Sequence, residues 1–314
     1  MMVNDQETGT GGQLANPSQN VRQTTRTAPA LTIAVIAVSF AAIFFRKAFP
    51  THPLLCAGFR LAIAGLLLLP FTAKAATRGI LNGKFMRYAI LAGLAYGIHF
   101  SSWVASLDIT SIAVSVTLVT TTPLILAVVA LLSGKGIPSP KLWICLALAF
   151  FGLALIGSQD FSHGRNALFG DVLAVIGAAA MAAYLMLGKR LGDELDALAF
   201  SGVATLVGAM SIFATAFALG IPIRLAGPEA LFYLALAAII PQLIGHNLLT
   251  WSLKYTTPVV VGIAILGEPV GATILGWIWL GEKVGPMVVV GCVLTLSSVA
   301  LAIVSRNQDE DSKL

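Results

Sequence analysis

The chain has 314 residues, of which 57% are hydrophobic and only 11% are charged. A soluble protein has about 45–50% apolar and about 25% charged residues, so the composition all but excludes one. The formal net charge is +5, but no cluster of Lys and Arg with interleaved aromatic residues occurs. This absence argues against nucleic acid as a partner.

The first 28 residues form a polar segment ahead of the apolar sequence. They are rich in Gly, Gln, Asn, Ser and Thr and contain almost no large apolar side chains. Such a segment buries too little surface to offset the entropy of ordering, so we predict a disordered tail over residues 1–28. It also lacks the apolar core and cleavage site of a signal peptide, so the first span is expected to be an uncleaved anchor.

Ten apolar runs follow this tail. They are 18 to 25 residues long, enough for a helix to cross roughly 30 Å of hydrocarbon. The predicted spans cover residues 30–48, 53–73, 86–106, 110–132, 141–158, 168–188, 197–219, 230–252, 256–280 and 285–305. The sequence therefore predicts an all-α membrane protein of ten transmembrane helices, with a short charged tail over 306–314.

The charges of the loops predict the orientation of the spans, because short cytoplasmic loops carry an excess of Lys and Arg. With an internal amino terminus, most basic residues fall in cytoplasmic segments. Only Arg46, Lys47, Arg165, Arg224 and Lys283 then fall in outer segments. Both termini are therefore predicted to be cytoplasmic, and the loop around His163 is predicted to be external.

The two halves of the chain share a repeated pattern. Ser106, Leu107, Thr110 and Pro123 recur as Ser252, Leu253, Thr256 and Pro269, at a constant offset of 146 residues. Two copies of five spans have opposite orientations in the bilayer, because five is odd. The sequence thus predicts two inverted five-helix repeats, over residues 29–158 and 166–305, an arrangement common in secondary transporters.

The same residues give the chain a resemblance to the EamA family of the drug/metabolite transporter superfamily. The features that match are Phe59-Arg60 followed by LAIAGLLLLP, the Ser106-Leu107 turn into the fourth span, the proline pair, and Trp279-Leu280-Gly281-Glu282-Lys283. The resemblance covers about residues 30 to 305 and depends on the order of these features across the ten spans. The first repeat departs from the family pattern, because Ser133-Gly134-Lys135 lacks the usual Gly-Glu pair.

This resemblance implies a central cavity between the repeats and alternating access to it from the two sides of the membrane. It further implies export or exchange of small polar or amphipathic metabolites, such as amino acids or related compounds. The expected location is the cytoplasmic membrane, which is the inner membrane if the source is Gram-negative. The resemblance does not imply one substrate.

Polar side chains within the spans are the candidates for substrate binding or coupling. A charged group at mid-span costs about 2.5 to 3.5 kcal/mol on insertion scales, so each needs a reason to be there. The candidates are Arg60, His99, Trp103, Thr121, Thr122, Gln242, His246, Asn247 and Glu268. Trp103 is included because its ring can stack on a ligand.

Arg60 and His99 are predicted at similar depths below the outer surface, about 10 Å along their helices. In one interpretation they share an outer vestibule, where Arg60 attracts an anionic group and His99 forms a hydrogen bond or titrates. In the other, Arg60 extends outward to water and His99 bonds to a neighbouring backbone carbonyl.

Gln242, His246 and Asn247 form a polar face beside Pro241 in the eighth span. Gln242 and His246 are one helical turn apart, so they share a face that is expected to point inward. That face either lines the substrate path or forms hydrogen bonds between helices. Pro123 and Pro241 are expected to interrupt the helical hydrogen bonds near the middle of the membrane.

Glu268 lies between Gly267 and Pro269 in the middle of the ninth span, and no other acidic residue is found at that depth. Its counterpart in the first repeat is Thr122, immediately before Pro123. One interpretation is that the side chain satisfies backbone groups released at the proline. The other is that it pairs with a cationic substrate group, or carries a proton as the coupling ion.

No cofactor, metal site or enzyme activity is predicted. The three cysteines lack metal-ligand spacing, no G-x-x-x-x-G-K-[ST] loop occurs, and the histidines are scattered over different elements. The favoured function is a secondary transporter that lies in the lipid bilayer and carries a small-molecule substrate. A passive channel or scramblase-like pore is the alternative, ahead of a membrane-embedded enzyme. The sequence leaves open the substrate, the coupling ion and whether the protein forms a homodimer.

Overall fold

The structure is a computed structural model that describes part of the chain in full. The backbone is described for residues 17–109, 112–134, 139–157, 165–281 and 284–311, and side chains for 27–109, 115–134, 139–156, 168–279, 281 and 284–302. All the elements in these ranges are helical. His163, Lys135 and Lys283, which the predictions on loops and orientation involve, lie outside the described residues.

Ten helical spans follow one another through the described ranges. They are span 1 (Pro17–Ser39 and Ala41–Lys47), span 2 (Pro53–Thr77), span 3 (Gly83–Ile109), span 4 (Ile112–Val119 and Thr122–Ser133), span 5 (Pro140–Gly157), span 6 (Arg165–Lys189), span 7 (Ala197–Ala218), span 8 (Pro228–Ala237, Ala238–His246 and Asn247–Ser252), span 9 (Pro258–Ile265 and Glu268–Leu280) and span 10 (Pro286–Asp311). Eight are long and apolar enough to cross a membrane, and spans 5 and 10 carry shorter apolar stretches. The predicted all-α fold is confirmed.

The ends of the spans follow from local sequence. Proline occupies the first turn of several spans, where its missing N–H leaves no hydrogen bond unmade and its fixed φ favours the helix. The Asp196 carboxylate caps span 7 by accepting a hydrogen bond of 3.1 Å from the Ala199 N–H. Span 9 ends at Gly281, whose φ of 68° is a left-handed conformation that glycine adopts readily.

The first and last helices extend into the segments that we predicted as tails. Span 1 is helical from Pro17, so the predicted boundary at residue 28 falls within a helix. Span 10 likewise continues as helix to Asp311, through most of the segment 306–314 that we predicted as a tail. Residues 1–16 and 312–314 lie outside the described ranges.

The two halves interlock instead of packing side by side. Span 2 packs against span 7, span 4 against span 9 and span 5 against span 10, while span 3 packs on span 6 and span 1 on span 8. The first three pairings join equivalent spans of the two repeats. The last two pairings, span 3 with span 6 and span 1 with span 8, are equivalent to each other. Because each half holds five spans, the halves cross in opposite directions, as the inverted repeat requires.

Spans 4 and 9 are both interrupted, at equivalent positions. The first segments end at Val119 and Ile265, and the second segments begin at Thr122 and Glu268, so both breaks keep the offset of 146 residues. In span 4, the Thr120 and Thr121 hydroxyls donate to the carbonyls of Val116 and Leu118, at 2.8 and 2.7 Å. These two carbonyls also accept the backbone N–H groups of Thr120 and Thr121, so each hydroxyl adds a second bond. The carbonyl of Val119, which loses its helical donor at Pro123, accepts from the Thr122 hydroxyl at 3.1 Å.

Span 8 is continuous through Pro241, where we predicted an interruption. Its middle segment, Ala238–His246, is a π-helix of nine residues that contains the proline. A proline in an α-helix lacks one N–H and clashes with the carbonyl four residues earlier. The wider π turn, with its i→i+5 hydrogen bonds, accommodates the ring without ending the helix.

Candidate functional site

A small cavity lies inside the bundle, where spans 1, 3 and 4 meet their repeat equivalents, spans 6, 8 and 9. It is lined by Ala41, His99, Trp103, Val119, Thr120, Thr122, Met181, His246, Ile265 and Glu268. Its volume is about 20 Å³, which is room for about one water molecule. We call it the central cavity. Thr122 and Glu268, the repeat-related residues at the two helix breaks, both line it.

These two residues use their side chains differently. The Thr122 hydroxyl is within hydrogen-bond distance of the Val119 and Ala178 carbonyls, at 3.1 and 3.2 Å. The backbone carbonyl of Glu268 accepts a bond of 3.4 Å from the Ser39 hydroxyl, but its carboxyl group forms no hydrogen bond with any described residue. Threonine thus satisfies the broken backbone, whereas the glutamate carboxyl is left facing the cavity.

Two histidines line the central cavity from opposite repeats. His99 Nδ1 lies 2.9 Å from the Gly177 carbonyl oxygen, which can only accept, so Nδ1 carries the hydrogen. Its Nε2 is then an acceptor in the neutral ring. The Nδ1 atom of His246 is buried without a hydrogen-bond partner among the described residues. The two rings can therefore offer an acceptor and a second, uncommitted nitrogen to a ligand.

Aromatic rings surround these histidines. His99 stacks between Tyr96 and Trp103, with ring centroids 6.2 and 6.1 Å away. Phe100 contacts the His246 ring at 5.6 Å. The Trp103 indole N–H is buried without a hydrogen-bond partner in the described part of the chain, so it remains available to a ligand.

Arg60 lies beside the central cavity but does not line it. The side chain is fully buried, and its Cζ atom is 4.4 Å from the Phe100 ring centroid and 5.5 Å from that of Phe45. Its Nη2 donates a hydrogen bond of 3.0 Å to Gln242 Oε1. Gln242 Nε2 in turn donates to the Tyr96 hydroxyl at 2.8 Å. These two residues are 146 apart, so they occupy equivalent positions in the two repeats.

A larger cavity opens at the end of the bundle where spans 1 and 3 end and span 2 begins. It has a volume of about 550 Å³ and is lined by Ala42, Phe45, Arg46, Lys47, Phe49, Thr51, Pro53, Cys56, Val104, Leu107 and Asp108. We call it the vestibule. The Phe45 ring, which lines the vestibule, packs edge-on against Trp103 at 5.9 Å, and Trp103 lines the central cavity. These two rings therefore separate the two cavities.

The opposite end of the bundle is held together by polar contacts. Lys84 Nζ and Glu194 Oε1 form a salt bridge of 2.7 Å, and Lys189 Nζ donates to the Leu253 carbonyl at 2.8 Å. Deeper inside, the Tyr184 and Thr250 hydroxyls share a hydrogen bond of 2.8 Å. These contacts join spans 3, 6 and 8 or the residues that directly follow spans 6 and 8, at the end of the bundle opposite the vestibule.

The structure brings together most of the residues singled out from the sequence. His99, Trp103, Thr122, His246 and Glu268 line the central cavity, and Arg60 and Gln242 form a buried pair next to it. Thr121 and Asn247 are outside the cavity lining. Among the described residues, no group of three or more His, Cys, Asp or Glu side chains could hold a metal ion.

Sequence reasoning missed the aromatic and apolar part of the site, namely Phe45, Tyr96, Phe100, Met181 and Tyr184. Tyr96 had a usable signal, because it is 146 residues before Gln242 and so occupies the equivalent position of the other repeat. Phe45 and Phe100 had none, since an aromatic residue in an apolar run has the same hydropathy whether it faces lipid or a cavity.

A family model matches the chain twice. The model of the EamA-like transporter family matches residues 26–158 and again residues 168–304. Each match covers five of the spans, and together they cover most of the chain. The two matches thus meet at the segment that joins spans 5 and 6.

Individual relatives are more distant. An uncharacterized transporter from Archaeoglobus fulgidus is 23% identical over 179 residues, which are 55% of this chain and 61% of that protein. The chain thus matches less than two thirds of that relative's length. A solved structure, described only as the crystal structure of a protein, superposes with a TM-score of 0.71 at 16% identity, covering 88% of this chain and 96% of that chain. This likeness concerns the fold alone.

Proposed function

Because the chain belongs to the EamA-like transporter family, we propose that it is a secondary transporter that carries small metabolites across the membrane by alternating access. One observation carries the proposal: both helix breaks, at Thr122 and Glu268, meet at a single cavity between the two inverted halves. Interrupted helices facing each other near the midplane are the usual construction of a transport site in such folds.

The barriers on the two sides of the cavity support alternating access. On one side the Phe45 and Trp103 rings close the cavity from the vestibule, and on the other the Lys84–Glu194 bridge and the Tyr184–Thr250 bond join the spans. A cavity of about 20 Å³ is too small for a metabolite. Transport therefore requires the halves to move apart on one side at a time.

These barriers favour a carrier over the passive pore that the sequence left open. A pore needs a continuous path, whereas each side of this cavity is closed by packed side chains. An enzyme is less favoured, because His99 is committed to a backbone carbonyl and no nucleophile, base and orienting group are joined by hydrogen bonds in the described cavity. We therefore retain transport as the function.

The loop charges support a proposed orientation, and the family supports a proposed location and activity. We infer that both termini are cytoplasmic, which places the vestibule outside, and that the protein lies in the cytoplasmic membrane, the inner one in a Gram-negative cell. Export or exchange of metabolites such as amino acids is the proposed activity. The small-molecule substrate is released into, or taken from, the vestibule.

Counterflow in liposomes tests the proposal. Purified protein is reconstituted into vesicles preloaded with one unlabelled metabolite, and uptake of the same labelled metabolite is followed for a panel of amino acids, organic acids and amines. A carrier exchanges internal for external solute and shows a transient overshoot of label. A pore gives simple equilibration without overshoot, and that result would reject alternating access.

A further inference from the structure

A buried cation lies next to the central cavity without a direct anionic partner. Arg60 is fully buried, yet it forms no salt bridge with any acidic residue in the described part of the chain. Its Nε and Nη1 atoms have no hydrogen-bond partner there. Removing a charge from water costs several kcal/mol unless a paired charge and hydrogen bonds replace the water. A buried arginine with donors available inside the bundle is therefore a candidate site for an anionic group.

The contacts that Arg60 does make hold its guanidinium in place. Gln242 accepts from Nη2, and the Gln242 amide is itself fixed by its bond to the Tyr96 hydroxyl. The Phe100 ring supplies a cation–π contact at 4.4 Å. Glu268 is close enough for its charge to interact with that of Arg60, but the two side chains are not bonded. The Nε and Nη1 atoms of Arg60 are thus held in place and available as donors.

The vestibule carries an excess of positive charge on the path toward Arg60. Arg46 and Lys47 line it, and Asp108 is the acidic residue among its described lining. Phe45 lies at its inner end, and the same Phe45 ring lies 5.5 Å from Arg60 Cζ. The ring is thus the shared boundary between the basic vestibule and the buried arginine.

We propose that the substrate carries an anionic group, such as a carboxylate, sulfonate or phosphate, and that Arg60 binds this group inside the bundle. Gln242 is the residue that positions Arg60. The Phe45 ring is the barrier that moves when the anion passes between Arg60 and the vestibule. This inference rests on the proposed function, since it names the substrate class of the same transporter.

Collisional quenching of Trp103 fluorescence tests the path without any knowledge of the substrate. The protein retains Trp103 alone, with Trp143, Trp251, Trp277 and Trp279 replaced by Phe, in uncharged detergent micelles. The probes are iodide as an anion, caesium as a cation and acrylamide as a neutral quencher. Trp103 is buried behind Phe45, so all three should quench it weakly in the parent protein.

Phe45→Ala should increase quenching by acrylamide. In that variant iodide should quench about two- to threefold better than caesium, with both rates taken relative to free tryptophan, because a nearby unit of positive charge enriches anions by about that factor. Arg60→Gln in the same background should abolish most of the iodide preference and leave acrylamide quenching unchanged. Arg60→Lys, which keeps the charge, should retain the preference. Phe59→Ala is the matched control, since Phe59 packs against Phe213 and does not line the vestibule.

Two results would overturn the proposal. If Phe45→Ala leaves acrylamide quenching unchanged, Phe45 is not the barrier; if Arg60→Gln keeps the iodide preference, Arg60 is not the anion site. Counterflow does not enter either measurement, so their failure is distinguishable from failure of the transporter function.

A second measurement covers the case in which the tryptophan substitutions prevent folding. Cys56 lines the vestibule, and a chain with Cys145→Ala and Cys292→Ala retains it as the single thiol. In the Phe45→Ala background, the anionic reagent methanethiosulfonate ethylsulfonate should modify Cys56 faster than the cationic ethyltrimethylammonium analogue. Arg60→Gln should reduce that difference. Equal rates for both reagents, before and after Arg60→Gln, would contradict an anion path.

Discussion

At the scale of single residues, the central cavity contains two repeat-related positions with different chemistry. Thr122 bonds to backbone carbonyls at the break in span 4, whereas the carboxyl of Glu268 bonds to no described residue. The interpretation that the side chain satisfies backbone groups at the proline therefore fits Thr122. A carboxyl that is not needed by the backbone is free to carry a proton or to meet a cationic substrate group, the two roles considered for it from the sequence.

We predict that Glu268→Gln abolishes transport driven by a pH gradient but preserves counterflow. Glutamine keeps the size and hydrogen-bonding capacity of the side chain and removes its titration. The measurement compares labelled uptake into liposomes with and without an imposed gradient. Glu229→Gln is the matched control, because Glu229 is exposed at the start of span 8. Full gradient-driven uptake by Glu268→Gln would exclude proton coupling at this residue.

The buried amides in span 8 should differ in their contribution to stability. Gln242→Leu removes the acceptor for Arg60 and the partner of Tyr96, so we expect the unfolding free energy to fall by about 1.5–3 kcal/mol. Asn247→Leu removes an amide whose Oδ1 has no hydrogen-bond partner among described residues, and should cost less. Unfolding in mixed micelles measures both. An equal loss for the two variants would contradict the Arg60–Gln242–Tyr96 chain.

At the scale of elements, close approach of spans 3 and 7 explains the spacing of Gly93 and Gly97. A Cβ atom added at Gly93 would lie 2.8 Å from the Ala204 carbonyl oxygen, and one at Gly97 would lie 3.2 Å from that of Gly208. Small residues at such positions let backbones approach in a membrane, where the hydrophobic effect does not drive helices together. The GxxxG spacing here is therefore a packing feature, not part of the site.

We predict that Gly93→Ala destabilises the protein by about 1–3 kcal/mol, the usual cost of overpacking. Gly83→Ala, in the same helix, is the control because no atom lies within 4 Å of its added Cβ. That variant should be neutral or slightly stabilising, since alanine favours helix more than glycine does. Thermal unfolding in detergent measures the difference, and the reverse order of the two variants would refute this packing.

At the scale of the whole molecule, the interlocked halves place residues of both repeats around the same cavity. Spans 3, 6 and 8 are joined at one end, and the vestibule lies at the other. Motion of one half against the other would open one end as it closes the other. The orientation proposed for these ends rests on the basic residues of the loops.

We predict that a membrane-impermeant thiol reagent labels Phe49→Cys in intact cells and does not label Asn82→Cys. Phe49 is 73% exposed and lines the vestibule, and Asn82 precedes span 3 at the opposite end. Both variants are made in a chain without its native cysteines, and permeabilised cells provide the control for reactivity. The opposite pattern would reverse the orientation inferred from loop charges.

The sequence by itself determined the number and limits of most spans, because the thickness of the bilayer sets the length of an apolar helix. It also predicted the break ahead of Pro123, which the repeat offset relates to the break ahead of Pro269, although the interruption predicted at Pro241 was wrong. Polarity within the spans singled out His99, Trp103, Thr122, His246 and Glu268, which line the cavity, since polar groups in hydrocarbon are rare enough to stand out. It also singled out Thr121 and Asn247, which do not line it, and left out Thr120, which does.

Only the tertiary structure decided which of these residues meet. Periodicity defines the face of one helix but not its neighbour, so the bond between Arg60 and Gln242 and the shared cavity of Thr122 and Glu268 required the packed bundle. The π-helical turn at Pro241 and the role of Phe45 were likewise undecidable from sequence. A proline can break, kink or widen a helix, and an apolar ring has the same hydropathy whether it faces lipid or a cavity. Packing against the other spans selects one outcome in each case.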